Sequence, residues 1–258
     1  DYIEGEGPVL NALGDISSLT KYDKENFLLK LHPIFETIKG MVHNVSTTTT
    51  IIGFAGAPWT IATYMVEGGS SRDFSKTRAW AIKNPSTFSI LIDQLVDATA
   101  DYLTAQLDAG ADTIQIFDSW AGVLSETELI KWSLEPIEKI LDRVRQTHPD
   151  IPFIIFPRGA GVAYLDYANK NAINCVSLDQ SVPLRWAKDV LQPMSAVQGN
   201  LDPMFLVKGE KEMLIETERI LSILSKGPFI FNLGHGILPN TPPNNVEVLT
   251  DFVHDWRL

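Results

Sequence analysis

Thr50-Ile-Ile-Gly-Phe-Ala-Gly-Ala-Pro-Trp-Thr60 is the stretch on which the reading of the fold turns. Its β-branched, apolar start reads as a strand buried on both faces, the habit of parallel sheets. The strand ends in glycine, and Pro58 follows where a helix would begin. Proline suits a first helical turn because its missing N–H would be unpaired there anyway. A dinucleotide-binding sheet carries G-x-G-x-x-G at such a junction. Gly53-Phe-Ala-Gly56 has the wrong spacing for that. Gly68-Gly69-Ser70-Ser71 follows a helical stretch and has no P-loop lysine.

Further apolar runs lie downstream: Thr113-Ile-Gln-Ile-Phe117, Phe153-Ile-Ile-Phe156, Ile173-Asn-Cys-Val-Ser-Leu178, Ser195-Ala-Val-Gln198 and Phe229-Ile-Phe-Asn-Leu233. Helical patterns separate them. One starts at Asn84-Pro85, runs from about Ser86 to Leu107, and stops at Ala109-Gly110-Ala111. A second runs from about Ser125 to Gln146; Pro136 predicts two helices or a kink there. Shorter ones fall near Val162–Asn169, Leu184–Leu191, Lys211–Ser225 and Asn245–Trp256. Residues 1–46 read as a loop and one helix, Glu25 to about Val42, with no strong strand before Thr48. Repeated strand–helix alternation predicts a parallel α/β architecture, either an open doubly wound sheet or a barrel. Polar and glycine residues sit just past many strand ends: Asp118-Ser119, Arg158-Gly159, Asp179-Gln180, Gly199-Asn200 and Gly234-His235. Barrels assemble their sites from several strand ends at one face. The expectation is therefore a (β/α)8 TIM barrel occupying residues 1–258 as a single domain, although only six of its eight strands are visible.

Composition limits the function. The chain has 258 residues, 45% hydrophobic and 21% charged, and a net charge of −11. That is the balance of a soluble globular protein. The acidic excess argues against nucleic acid or an anionic membrane surface as partner. Cys175 is the sole cysteine, so no internal disulfide forms, which fits a reducing, cytoplasmic setting. No apolar run is long enough to predict a membrane span. The opening Asp1-Tyr-Ile-Glu-Gly-Glu6 has neither the basic nor the apolar region of a signal peptide, and no Met precedes it.

Three residues stand out as candidate donors to an anionic ligand. Tyr64 lies on the helix begun by Pro58, and its phenol can donate to a carboxylate or simply pack. Ser119 follows a strand end without the G-x-S-x-G of a nucleophile elbow, so it is a carboxylate donor or a turn residue. His235 sits between two glycines just past a strand, where imidazole can donate to an anion or shuttle a proton. The other histidines read as solvated or capping: His148 before a proline, His32 and His254 in helices, His43 after one. Gln198-Gly-Asn-Leu-Asp-Pro203 reads as a strand end running into a proline-started helix, a structural turn in preference to a ligand site; Arg158 and Arg185, the basic residues nearest strand ends, read as surface ion-pair residues in preference to carboxylate partners. No zinc spacing exists around Cys175, so metal sites are not expected.

Gly53-Phe-Ala-Gly-Ala-Pro-Trp-Thr60, Thr63-Tyr-Met-Val-Glu-Gly-Gly69, Phe117-Asp-Ser119, Gln198-Gly-Asn-Leu-Asp-Pro203 and Asn232-Leu-Gly-His-Gly236 together resemble the uroporphyrinogen decarboxylase family. The resemblance runs in order from about Gly5 onward. It implies a (β/α)8 barrel acting as a homodimer without metal or organic cofactor. The implied reaction removes the four acetate carboxyls of uroporphyrinogen III, giving coproporphyrinogen III in haem biosynthesis. It also implies that Tyr64, Ser119 and His235 contact the substrate's carboxylates and pyrroles. The family's Arg-Gln-Ala-Gly-Arg motif does not occur here, and the aspartate that follows it in the family has no match either. The expectation is that the first one or two βα units are absent from this chain and that these 258 residues alone are inactive or badly crippled. Two rival readings are a zinc- or corrinoid-dependent methyltransferase, which needs a thiolate-rich site, and a non-catalytic tetrapyrrole-binding protein.

Overall fold

The computed structural model describes residues 2–3, 7–8, 11–69 and 71–257. Gly5, Glu6 and Ser70 from the motifs above lie outside the described residues. The chain forms two compact units, residues 1–153 and 154–258.

The first unit opens with β1 (Tyr2–Ile3) and β2 (Gly7–Pro8), an antiparallel pair that was not legible in the sequence. A short 3-10 turn, Ile16–Ser18, follows. The helix α1 (Lys24–Asn44) is capped by Asp23, whose carboxylate accepts the Asn26 N–H at 3.1 Å. It is longer than expected at both ends, so His43 lies in its last turn rather than beyond it. Next come β3 (Ile52–Gly56), α2 (Pro58–Glu67), α3 (Ser75–Lys83), α4 (Pro85–Asp108) and β4 (Thr113–Asp118). The strands β3 and β4 pair in parallel from Ile52↔Thr113 to Gly56↔Phe117. Gly68, at φ +79°, caps α2 in the left-handed region, and its N–H returns to the Tyr64 carbonyl.

At Pro136 the expected division takes the form of two α-helices joined by a π segment. The chain runs through α5 (Glu126–Leu129), a π segment (Ile130–Leu134) and α6 (Glu135–Arg145), with helical backbone angles at each junction. The π segment widens the hydrogen-bond ladder just ahead of Pro136, where an α-helix would need the missing N–H. The core of this unit is aromatic. Trp59, Phe88 and Trp132 are all at most 2% exposed. Phe88 meets the other two edge to face, at ring-centroid distances of 6.0 and 4.9 Å.

The second unit alternates strand and helix four times. Its strands are β5 (Phe153–Pro157), β6 (Cys175–Ser177), β7 (Ala196–Leu201) and β8 (Phe229–Leu233). They pair in parallel, each with the next in sequence. Its helices are α7 (Tyr164–Ala168), α8 (Leu184–Trp186), α9 (Pro203–Lys208), α10 (Glu210–Leu224) and α11 (Pro243–Asp255). Among the described residues each parallel strand pairs with its neighbour in sequence, without the order reversal of a doubly wound sheet, which favours the barrel.

Burial departs from expectation at two strands. β4, β5 and β6 are buried almost throughout, whereas β3 and β8 alternate. Ile52 and Phe54 of β3 are 44% and 57% exposed, and Ile230 of β8 is 43% exposed. The strand read as doubly buried therefore has one face open to solvent. Gln106 of α4 serves β3 with an amide of its own. Its Oε1 accepts the Phe54 N–H and its Nε2 donates to the Phe54 carbonyl, both at 2.9 Å. Gly53 leaves room for this side chain; a Cβ there would lie 3.1 Å from Gln106 Oε1 and 2.8 Å from Ile114 Cδ1.

Candidate active site

In the first unit the strand ends are tied together around Asp118, the last residue of β4. Asp118 is fully buried. Its Oδ1 accepts the Thr60 hydroxyl at 2.6 Å, and its Oδ2 accepts a very short bond from the Ser133 hydroxyl in the π segment. Burial pushes its pKa up to about 6, against the opposing pull of these two hydroxyls. Thr60 does more than donate, because its oxygen also accepts the Trp120 N–H at 3.3 Å. Trp59 Nε1 donates to the Trp120 carbonyl at 3.0 Å, and the Ala57 N–H donates to the Phe117 carbonyl at 2.8 Å. The cap and first turn of α2 thus grip the end of β4 at residues 117 and 118 and the loop after it at residue 120, on both sides of Ser119. Tyr64 lies four residues beyond Thr60, on the same helix face. Its ring meets Trp120 edge to face at 6.4 Å. Tyr64 and Ser119 are both partly exposed. The structure therefore sets these two sequence candidates on neighbouring elements coupled through Trp120.

In the second unit the corresponding anchor is Asp179, just past β6. Its Oδ2 accepts the Gly159 N–H at 2.8 Å and the Tyr164 hydroxyl at 2.9 Å. Its Oδ1 accepts the Ser181 N–H at 2.8 Å and the Ser181 hydroxyl. Burial pushes this carboxyl up, but the donors outweigh it and hold it below the ordinary carboxylate value. Asp179 thereby fixes the loop after β5, in which Arg158 stands. Asn200 of β7 donates to the Asp179 carbonyl at 2.9 Å and the Val182 carbonyl at 3.0 Å. The Gln198–Pro203 segment is β7 running into α9, the expected strand end leading into a proline-started helix.

His235 is exposed just past β8, with its ring 6.4 Å from Phe156 of β5. Partial burial of the ring, and then the Arg158 cation, lower its pKa. Both effects favour the neutral imidazole, which has one N–H to donate and one nitrogen to accept. Gly234 beside it is obligatory, because a Cβ there would lie 2.4 Å from the Gln180 backbone nitrogen. Arg158 is half-buried at a strand end beside His235, not a peripheral surface arginine, whereas Arg185 is exposed on α8. Sequence reasoning passed over Asp179 and undervalued Arg158. Their strand-end positions were the signal that pointed to both.

Cys175 is buried in β6, and burial pushes its pKa up to about 12. A thiol so reluctant to ionise is a poor metal ligand. Among the described residues no three His, Cys, Asp or Glu side chains form a metal-binding group, and no helix is long and apolar enough to cross a membrane.

Polar side chains fixed at the C-terminal ends of consecutive parallel strands define a TIM-barrel-type α/β enzyme working on a small molecule. A methyltransferase from Methanosarcina mazei shares this fold, with a TM-score of 0.76 at 21% identity over 95% of this chain and 70% of its own. A B12-independent methionine synthase from Shewanella sp. W3-18-1 is more distant, at 0.61 and 11% over 85% and 64%. Similarity that low carries the fold alone. The family model for uroporphyrinogen decarboxylase (URO-D) matches residues 1–256. Uroporphyrinogen decarboxylase of Rhodospirillum rubrum is 50% identical over 254 residues, which are 98% of this chain and 73% of that protein. The Chelativorans sp. protein of the same name is 44% identical over 99% of this chain and 74% of its own. The chain belongs to the uroporphyrinogen decarboxylase family, a family of carboxy-lyases.

Proposed function

We propose that the protein decarboxylates the four acetate side chains of uroporphyrinogen III to give coproporphyrinogen III. The reading places it in porphyrin and haem biosynthesis, as a cytoplasmic homodimer working without cofactor. The observation that carries the activity is the family match over residues 1–256. Tyr64, Ser119 and His235 are proposed as donors to the substrate. Tyr64 on α2 and Ser119 just past β4 are partly exposed beside the anchor Asp118, and His235 is exposed just past β8, which supports that role.

Loss of CO2 from an acetate arm leaves the electron pair of the broken C–C bond on the methylene carbon. A protonated pyrrole takes that pair up, and a proton delivered to the methylene carbon then completes the methyl group. The protein's share is to hold the carboxylates, strip water from the one that leaves, and stabilise the pyrrole cation. A hydrogen bond to a charged group is worth about 1.5–3 kcal/mol, so three donors supply roughly 5–9 kcal/mol. Association alone costs about 4–15 kcal/mol, so cationic groups must add to them. Arg158, half-buried next to His235, is such a group within the chain.

The test is anaerobic incubation of the protein, expressed from its natural gene, with uroporphyrinogen III. Chromatography should show porphyrinogens of falling carboxyl number ending at four. Absence of any decarboxylated product would remove the assignment. His235→Ala should lower kcat/KM by about 10-fold or more, from the loss of one such hydrogen bond. The 258 residues contain no Arg-Gln-Ala-Gly-Arg stretch, so a polypeptide of these 258 residues alone is proposed to be inactive or strongly impaired. Turnover at the full rate would refute that part.

A further inference from the structure

Asp118 and Thr60 are not among the donors proposed above to contact the substrate, yet both belong to a polar network that joins α2, the end of β4 and the π segment. We infer that they are positioning residues for substrate binding, which hold Tyr64 and Ser119 at one fixed spacing so that the pair reads a set pattern of carboxylates. The inference rests on the substrate-binding role proposed for those two residues.

Asp118 is 0% exposed, so it cannot touch a substrate from where it stands. Burying a carboxylate is costly, and apolar side chains of similar volume often stabilise a fold equally well or better. What the carboxylate provides here is connection. One oxygen takes a hydroxyl from α2 and the other a hydroxyl from the π segment. Thr60 passes that connection on, because the oxygen that donates to Asp118 also accepts the Trp120 N–H. Trp59, its neighbour, takes the Trp120 carbonyl. The residue before Ser119 and the residue after it are therefore both fixed to one helical turn. Four residues further along α2 stands Tyr64, and its ring contact with Trp120 closes the circle. If any link is removed, Ser119 and Tyr64 move independently. A ligand with several carboxylates then binds only after ordering them, at an entropic cost.

The experiment uses Thr60→Val, which removes the hydroxyl at nearly constant volume, with Thr60→Ser as the conservative control. Asp118→Asn provides a second, independent cut should Thr60→Val fail to fold. All are made in the protein expressed from its natural gene. The expected result is a KM for uroporphyrinogen III raised about 10-fold, with kcat changed less than about 3-fold, and recovery of KM in Thr60→Ser. Thr60→Val/Ser119→Ala should be no worse than Ser119→Ala alone, because the two changes remove one function. A purely structural role would lower thermal stability and the active fraction, hence kcat, and leave KM alone. Wild-type KM in folded Thr60→Val and Asp118→Asn, or multiplicative losses in the double variant, would overturn the inference. If those variants are silent while Ser119→Ala and Tyr64→Phe raise KM, positioning alone is refuted. If Ser119→Ala and Tyr64→Phe are themselves silent, the substrate-binding role falls and the inference with it.

Discussion

Two buried aspartates are pushed in opposite directions, and that difference is measurable. Asp118 has two hydroxyl donors and is raised from 3.8 to about 6 by burial. Asp179 has four donors, two of them backbone N–H groups, and is lowered. A carboxyl with a raised folded pKa binds more protons in the folded state than in the unfolded one. Its contribution therefore stabilises at low pH and is lost as pH rises from about 4 to about 6. For Asp118 that amounts to something on the order of 3 kcal/mol. Asp179 acts in the reverse sense, stabilising above the unfolded carboxylate value and losing its contribution as pH falls below it. Urea titrations at several pH values should show Asp118→Asn flattening the decline between pH 4 and 6. Asp179→Asn should instead weaken the protein at neutral pH. An Asp118→Asn profile parallel to wild type would contradict the burial account. At His235, Arg158→Ala should raise the imidazole pKa, followed by the histidine Cε1 proton in NMR.

Secondary elements followed the sequence where local chemistry sets them. Asn84-Pro85 begins α4 and Ala109-Gly110 ends it, and β8 matches residue for residue. What sequence could not supply was the partner of each element. Thr60 and Asp118 are 58 positions apart, and nothing local marks a threonine in a helix's first turn as bridging two loops. The same holds for Gln106, 52 positions from the Phe54 backbone it serves. Gln106→Leu leaves that N–H and carbonyl without their side-chain partner, and should cost about 1–3 kcal/mol in chemical denaturation. Gly234→Ala forces a Cβ against the Gln180 backbone and should cost about 1–3 kcal/mol, while also displacing His235. Cys175 should resist thiol reagents in the native state and react once unfolded, since its thiolate is strongly disfavoured at neutral pH.

At the scale of the whole chain, the net charge of −11 faces a substrate with eight carboxylates. Long-range repulsion between them is screened by salt, over a Debye length of about 30 Å at 0.01 M and about 8 Å at 0.15 M. The second-order rate at low substrate should therefore rise across that range; a steep fall would mean that a local cationic field dominates. A single cooperative unfolding transition reported alike by fluorescence and circular dichroism is expected if residues 1–258 form one barrel domain, whereas two separated transitions would assign the compact units separate stabilities. The barrel class was readable because glycine and polar residues mark strand ends even in a single sequence. The wet face of β3 was not, because Ile52 and Phe54 look like core residues until the surrounding elements are known. Apolar strands open to water are where chains usually begin to stick to one another. At Phe54 the main-chain positions that an incoming strand would need already belong to Gln106, so fibril growth by strand addition has no foothold at that point.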